Sequence, residues 1–87
     1  MPRPVLLSTP AQKQFASLEG EAQRRIRKGL ERLATGGRAD VRKLVGIKGR
    51  EDLFRLRVGD YRVVFRAEPD AIRVVQILHR SKGYDWL

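Results

Sequence analysis

From Leu53 to Arg66 the chain alternates apolar and basic residues in two runs, one on each side of Gly59-Asp60. Alternation at period two puts unlike residues on opposite faces of a strand. A Gly-Asp pair between two such runs suits a two-residue hairpin, because glycine accepts the positive φ that primed turns require. That turn predicts a register: Val58 opposite Tyr61, Arg57 opposite Arg62, Leu56 opposite Val63, Arg55 opposite Val64 and Phe54 opposite Phe65. Opposed residues share a side of an antiparallel pair. One side is then Phe54, Leu56, Val58, Tyr61, Val63 and Phe65, a core face. The other carries Arg55, Arg57, Arg62 and, toward its end, Arg66.

Arginines opposed across a strand pair repel, at a cost of up to about 1 kcal/mol per pair. An anion between them removes that repulsion, and guanidinium forks match phosphate geometry. A basic face can also be a solvated device that keeps a sheet from aggregating, so the pattern alone leaves both readings open. Composition is compatible with an anionic partner and equally with a chain from an arginine-rich proteome: 19 Lys+Arg stand against 10 Asp+Glu, a formal net charge of +9. Nucleic acid, an acidic protein or an anionic surface would each answer that balance. With no cysteine, disulfides and thiolate metal sites are excluded, and a reducing cytoplasm fits. No apolar run approaches the length of a membrane span. The start, Met1-Pro2-Arg3-Pro4-Val5, lacks a signal peptide's apolar stretch and cleavage site.

The 87 residues suffice for one small domain with a modest core, spanning residues 1–87. Val5-Leu6-Leu7 reads as a first strand. Thr9 as N-cap, Pro10 at the first helical position and Gln12 closing a capping box then open a short helix with Phe15 and Leu18 inward. Gly20 breaks it. Glu21 to Ala34 follows as an amphipathic helix with Ala22, Ile26, Leu30 and Leu33 on one stripe. Arg24, Arg25, Arg27, Lys28 and Arg32 fill the other faces, and Thr35-Gly36-Gly37 stops the helix. From Arg38 to Asp52 the chain reads as loop, anchored by Leu44 and Ile47, with Lys48 and Arg50 placed to extend the basic face. Glu68-Pro69-Asp70-Ala71 is a turn, and Ile72 to His79 a last strand. Gln76, its one uncharged polar residue, and by parity Arg80, are expected on the basic face, with Val75 and Ile77 toward the helices. The fold class expected is α+β: an antiparallel β-sheet, a helical hairpin packed on its apolar face, and the arginine face open.

Three stretches together resemble a known family. They are Lys43-Leu44-Val45-Gly46, then Leu56-Arg57-Val58-Gly59-Asp60-Tyr61-Arg62-Val63-Val64-Phe65, then His79-Arg80 with Tyr84. Together they are similar to the RelE branch of the RelE/ParE toxin superfamily, and the similarity covers nearly the whole chain. It implies a RelE-like microbial RNase-type fold, a toxin of a type II toxin–antitoxin system, and cleavage of messenger RNA in the ribosomal A site. It also implies a RelB-like antitoxin, through which the complex could bind operator DNA. By position, Arg55, Arg62 and Arg80 match basic residues of the family's active site, and Tyr84 a C-terminal tyrosine. Lys48, Arg50, Arg57, Arg66 and Lys82 are the expected RNA-backbone contacts. Where RelE proteins often offer lysines on the second strand, this chain has Arg55 and Arg57, and arginine is a poor proton shuttle because it stays protonated.

The residues agree with metal-independent, cofactor-free chemistry, since RNA carries its own nucleophile in the 2′-OH. The protein must align that attack, stabilise charge on the phosphorane and move two protons. Arginines supply the charge stabilisation. Tyr84 and His79 are the proton-transfer candidates: nearby cations favour a phenolate, whereas His79, with an ordinary pKa of about 6.5, faces away from Arg80 by parity. Trp86 is expected in packing or partner contact. A ParE-like inhibitor of DNA gyrase on the same fold, or a non-catalytic nucleic-acid-binding module, are the rival expectations.

Overall fold

The computed structural model describes residues 3–44 and 53–81. Ile47, Lys48, Arg50, Lys82, Tyr84 and Trp86, to which the sequence assigns roles, lie outside them. The elements run β1 (Val5–Leu7), α1 (Thr9–Ala16), α2 (Gly20–Ala34), β2 (Val41–Lys43), β3 (Leu53–Val58), β4 (Tyr61–Ala67) and β5 (Ile72–His79). The strands form one five-stranded sheet in the order β1-β5-β4-β3-β2. All its neighbours are antiparallel except β1, which lies parallel to β5. The fold is therefore α+β with a mostly antiparallel sheet, and both helices cover one face.

The β3–β4 hairpin has the expected register throughout, from Val58 opposite Tyr61 to Phe54 opposite Phe65. Gly59 sits at φ +56° and Asp60 does not share a positive φ, as a two-residue turn with glycine at its first central position demands. Leu56, Val63 and Phe65 are buried against Ile26, Leu30 and Ala34 of α2, Ala11 of α1, and Ile72, Val74 and Ile77 of β5. Burying each of the larger aliphatic or aromatic side chains contributes about 1.5–3 kcal/mol. The helical stripe Ala22, Ile26, Leu30, Ala34 repeats every fourth residue, so α2 lays one narrow line across the sheet.

Several local expectations change. Ser8, not Thr9, caps α1: its hydroxyl accepts from the Ala11 N–H at 3.2 Å while donating to the Val75 carbonyl at 2.7 Å. Tertiary contact with β5 makes the difference, since a hydroxyl there both caps the helix and ties it to the sheet. Gln12 closes no capping box; its amide donates to the Leu7 carbonyl instead. The stretch expected as loop contains β2, whose Val41, Arg42 and Lys43 pair with Leu56, Arg55 and Phe54.

β5 carries an irregularity where Val64 and Phe65 of β4 meet Gln76 and Val74. The extra residue is Val75, and it shifts the phase. Val74, rather than Val75, joins Ile77 in the core. Gln76, opposite Val64, keeps the side expected of it, but it is engaged from the sheet edge. The Gln14 side chain of α1 donates to Oε1 of the Gln76 side chain, and Gln14 Oε1 also accepts from the Ile77 N–H at 2.7 Å. Gln14 thus satisfies the β5 edge where β1 has ended. Nor is the second face uniformly open, because Leu53 and Val64, which belong to it by alternation, are fully buried.

Candidate functional site

Alternation and register distribute the second face into rows across the sheet. One row is Arg42, Arg55, Val64, Gln76; the next, toward the β3–β4 turn, is Arg57, Arg62, Leu78. Arg57 and Arg62 are directly opposed, and Arg55 is the diagonal neighbour of Arg62, roughly 7–8 Å away between backbone positions. Arg80 follows β5 at the same end. Its N–H donates to the Asp60 carbonyl at 2.7 Å, and its Nε lies 3.7 Å from Asp60 Oδ1. Arg55, Arg57, Arg62 and Arg80 are therefore brought to one end of one face.

Their environments differ. The Arg55 side chain is only 13% exposed, with Nη1 3.6 Å from Asp40 Oδ1. Arg62 is half-buried and Arg57 exposed, and among the described residues neither has a carboxylate within ion-pair distance. Arg80 stays 69% exposed despite Asp60, so its guanidinium is available to an incoming anion.

Arg66 belongs elsewhere. It stands four positions beyond Arg62 on β4, about 13 Å away at some 3.3 Å per residue, directly opposite Arg73. Glu68 serves both, with Oε2 3.8 Å from Arg66 Nη2 and Oε1 hydrogen-bonded to Arg73 Nε. That hydrogen bond raises the Arg73 pKa further. The two opposed arginine pairs thus have different fates: one shares the carboxylate of Glu68, the other is left without a carboxylate among the described residues. Arg42, exposed beside Arg55, escapes a reading of the sequence because β2 looks like loop there; the alternation of Val41, Arg42 and Lys43 is its only trace.

His79 lies on the helix side, opposite Tyr61, with the two rings edge to face at 5.4 Å. Its Nδ1 is 2.9 Å from Ser81 Oγ. As parity predicted, it does not face the arginines. No helix among the described residues is long and apolar enough to cross a membrane.

Residues 5–84 match the model of the ParE toxin of type II toxin–antitoxin systems, and the chain belongs to this RelE/ParE toxin superfamily. It is 29% identical to Toxin RelE3 of Methanocaldococcus jannaschii over 94% of this chain and 96% of that one. Among solved structures it is similar to the toxin in the RelB-RelE antitoxin-toxin complex from Methanococcus jannaschii, with a TM-score of 0.73 and 27% identity over 94% of this chain and 98% of that one. The archaeal RelE-RelB complex from Pyrococcus horikoshii gives 0.70 and 25% over 95% and 100%. The free E. coli toxin RelE mutant shares the fold, with a TM-score of 0.74 at 13% identity over 99% of this chain and 92% of that one.

Proposed function

We propose that this toxin is an endoribonuclease that cuts messenger RNA in the ribosomal A site and so stops translation. The observation that carries the reading is the Arg57–Arg62 pair: two directly opposed arginines with no carboxylate among the described residues, flanked by Arg55 and Arg80. Such a pair costs stability in the free protein and is relieved by a phosphate between the forks. The similarity to RelE toxins supports the same reading.

In the reaction the 2′-oxygen attacks the adjacent phosphorus and the bond to the 5′-oxygen breaks. Negative charge gathers on the non-bridging oxygens as the phosphorane forms. Arg62 and Arg80, with Arg55 behind them, stabilise that charge from fixed positions, which is where most catalytic effect of such sites resides. The 2′-hydroxyl must lose a proton and the leaving oxygen gain one. Arginine does neither, so Tyr84 is assigned as base or as the ring that stacks on an unpaired base. The shallow face does not by itself impose near-attack geometry, and the ribosome supplies it by ordering the message. A RelB-like antitoxin, acidic or amphipathic, neutralises the toxin by covering the arginine face or by displacing the C-terminal tail, and the pair meets operator DNA through the antitoxin.

The test is induction in cells with mapping of messenger 5′ ends by primer extension, alongside plasmid supercoiling. Codon-phased cuts that vanish in Arg62→Ala and Arg80→Ala are expected. The match to the ParE model favours one second reading, gyrase inhibition; altered supercoiling with intact messages would establish that reading and end the nuclease proposal.

A further inference from the structure

On the helix side of the sheet, a groove of about 290 Å³ runs between α2 and the end of β3. Helix and strand approach each other closely at Gly29, one of its lining residues. At Gly29 a Cβ would lie 3.0 Å from Val58 Cγ2, so only glycine allows that approach without displacing Val58. Arg25, Lys28 and Arg32 line one wall; Arg38, Asp40 and Arg57 line the other. The wall on α2 follows from spacing: positions three and four apart share a helix face.

Charge on these walls is one-sided. Among the described residues Asp40 is the only carboxylate lining the groove, and it is committed to Arg55 at 3.6 Å. Arg25 is bonded to Glu21 through Nε, but its Nη1 reaches over the turn, 3.7 Å from where a Cβ on Gly59 would stand. Among the described residues Lys28, Arg32, Arg38 and Arg57 have no carboxylate within ion-pair distance. Lys28 and Arg32 are moreover a like-charge pair at i, i+4, which destabilises a helix unless an anion is shared. Arg57 then joins this groove to the other face, where it opposes Arg62.

We infer that this groove is a second phosphodiester-binding site, which holds RNA backbone at a point separate from the phosphate being cut. The inference rests on the reading of the chain as an RNA-directed toxin. An amphipathic protein segment needs a row of apolar anchors. The described surface offers those elsewhere, in the hollow lined by Val5, Leu7, Phe15 and Leu30. A phosphodiester chain needs only fixed cations, and guanidinium groups suit it best.

The probe is a fluorescent single-stranded 2′-O-methyl RNA, which lacks the attacking hydroxyl and so reports binding without cleavage. Its affinity for the full chain is measured across a salt series. Lys28→Gln with Arg32→Gln is expected to weaken binding and to flatten the slope of log K against log salt by about 1.4, at about 0.7 for each single-strand phosphate that is no longer neutralised. The effect should persist in an Arg62→Ala background, which separates this groove from the proposed cleavage site. Lys13→Gln with Arg73→Gln, the same charge removed elsewhere, should leave the slope in place. Pelleting with message-free ribosomes distinguishes ribosomal RNA from the message strand as the source of the backbone, and weaker binding in either arm supports the site. Equal losses of affinity in both double variants would reduce the groove to diffuse charge and overturn the inference. So would unchanged RNA and ribosome binding, including the case where affinity for the purified antitoxin falls instead.

Discussion

Replacing Arg62 by glutamine should make the free protein more stable while removing its activity. Arg57 and Arg62 face each other directly across β3 and β4 with no carboxylate among the described residues to separate them. Cross-strand charge pairs are worth roughly 0.2–1 kcal/mol, and here the sign is unfavourable. Arg62 is half-buried, which weakens solvent screening and places the expected gain in the upper half of that range. For a chain this small, about 0.5–1 kcal/mol corresponds to a rise of some 2–8 °C in Tm. Urea denaturation is the assay, because guanidinium would itself screen the charges. At about 0.01 M salt the Debye length is some 30 Å and the gain should be full; at about 1 M it is some 3 Å and the gain should disappear.

A double-mutant cycle with Arg57→Gln isolates the pair. Each single change relieves the same repulsion, so the double variant should gain less than the sum of the two. The Arg66–Arg73 pair is the internal control: Glu68 bridges its two members, so that Arg73→Gln removes a favourable ion pair along with the repulsion and should bring no stabilisation. Cleavage in the same Arg62→Gln protein should fall by about 10²–10³, the usual cost of removing one oxyanion stabiliser. If Arg62→Gln is destabilising at low salt, or the cycle shows no coupling there, the two guanidiniums are not an uncompensated pair and the argument for a phosphate between them fails.

Two further outcomes follow from local contacts. Ser8→Ala should cost about 0.5–2 kcal/mol through loss of the helix cap, while Thr9→Ala should change stability little; equal effects in thermal melts would contradict the assignment of the cap to Ser8. The Glu21 carboxyl is held below its ordinary value by the hydrogen bond from Arg24, then by that from Arg25. A folded-state pKa below the unfolded one means that the stabilisation is present above the ordinary carboxylate range and is lost as pH falls through the folded value. The difference in Tm between the wild type and Glu21→Gln, small because the pair is exposed, should therefore shrink from neutral pH to about pH 2; a constant difference would assign it to something other than this charge.

The local features of this chain could be read without coordinates. Alternation on both sides of Gly59-Asp60 determined the hairpin, its register and its core face, because a two-residue turn leaves no freedom in pairing and period two assigns every side chain a side. The helical spacing of Ala22, Ile26, Leu30 and Leu33 likewise made α2 visible, although the structure buries Ala34 rather than Leu33 at the end of that stripe. Where two non-local contacts compete, the same reasoning fell short. Ser8 and Thr9 are equivalent caps until the Val75 carbonyl is brought beside one of them. Val41, Arg42 and Lys43 are too few to announce a strand; they become β2 only because β3 presents an unpaired edge, and with it Arg42 joins the arginine face. The extra residue at Val75 brings Val74 to the core side in its place, and nothing in a run of β-branched residues marks which one is extra. Most consequential, Arg62 and Arg66 look alike in sequence. Each has an acid two positions away, Asp60 and Glu68 respectively. Tertiary structure alone decides that Glu68 reaches Arg66 and Arg73 while Asp60 turns to Arg80. That leaves the Arg57–Arg62 pair of the hairpin register without a carboxylate among the described residues, because charge compensation depends on distance in space.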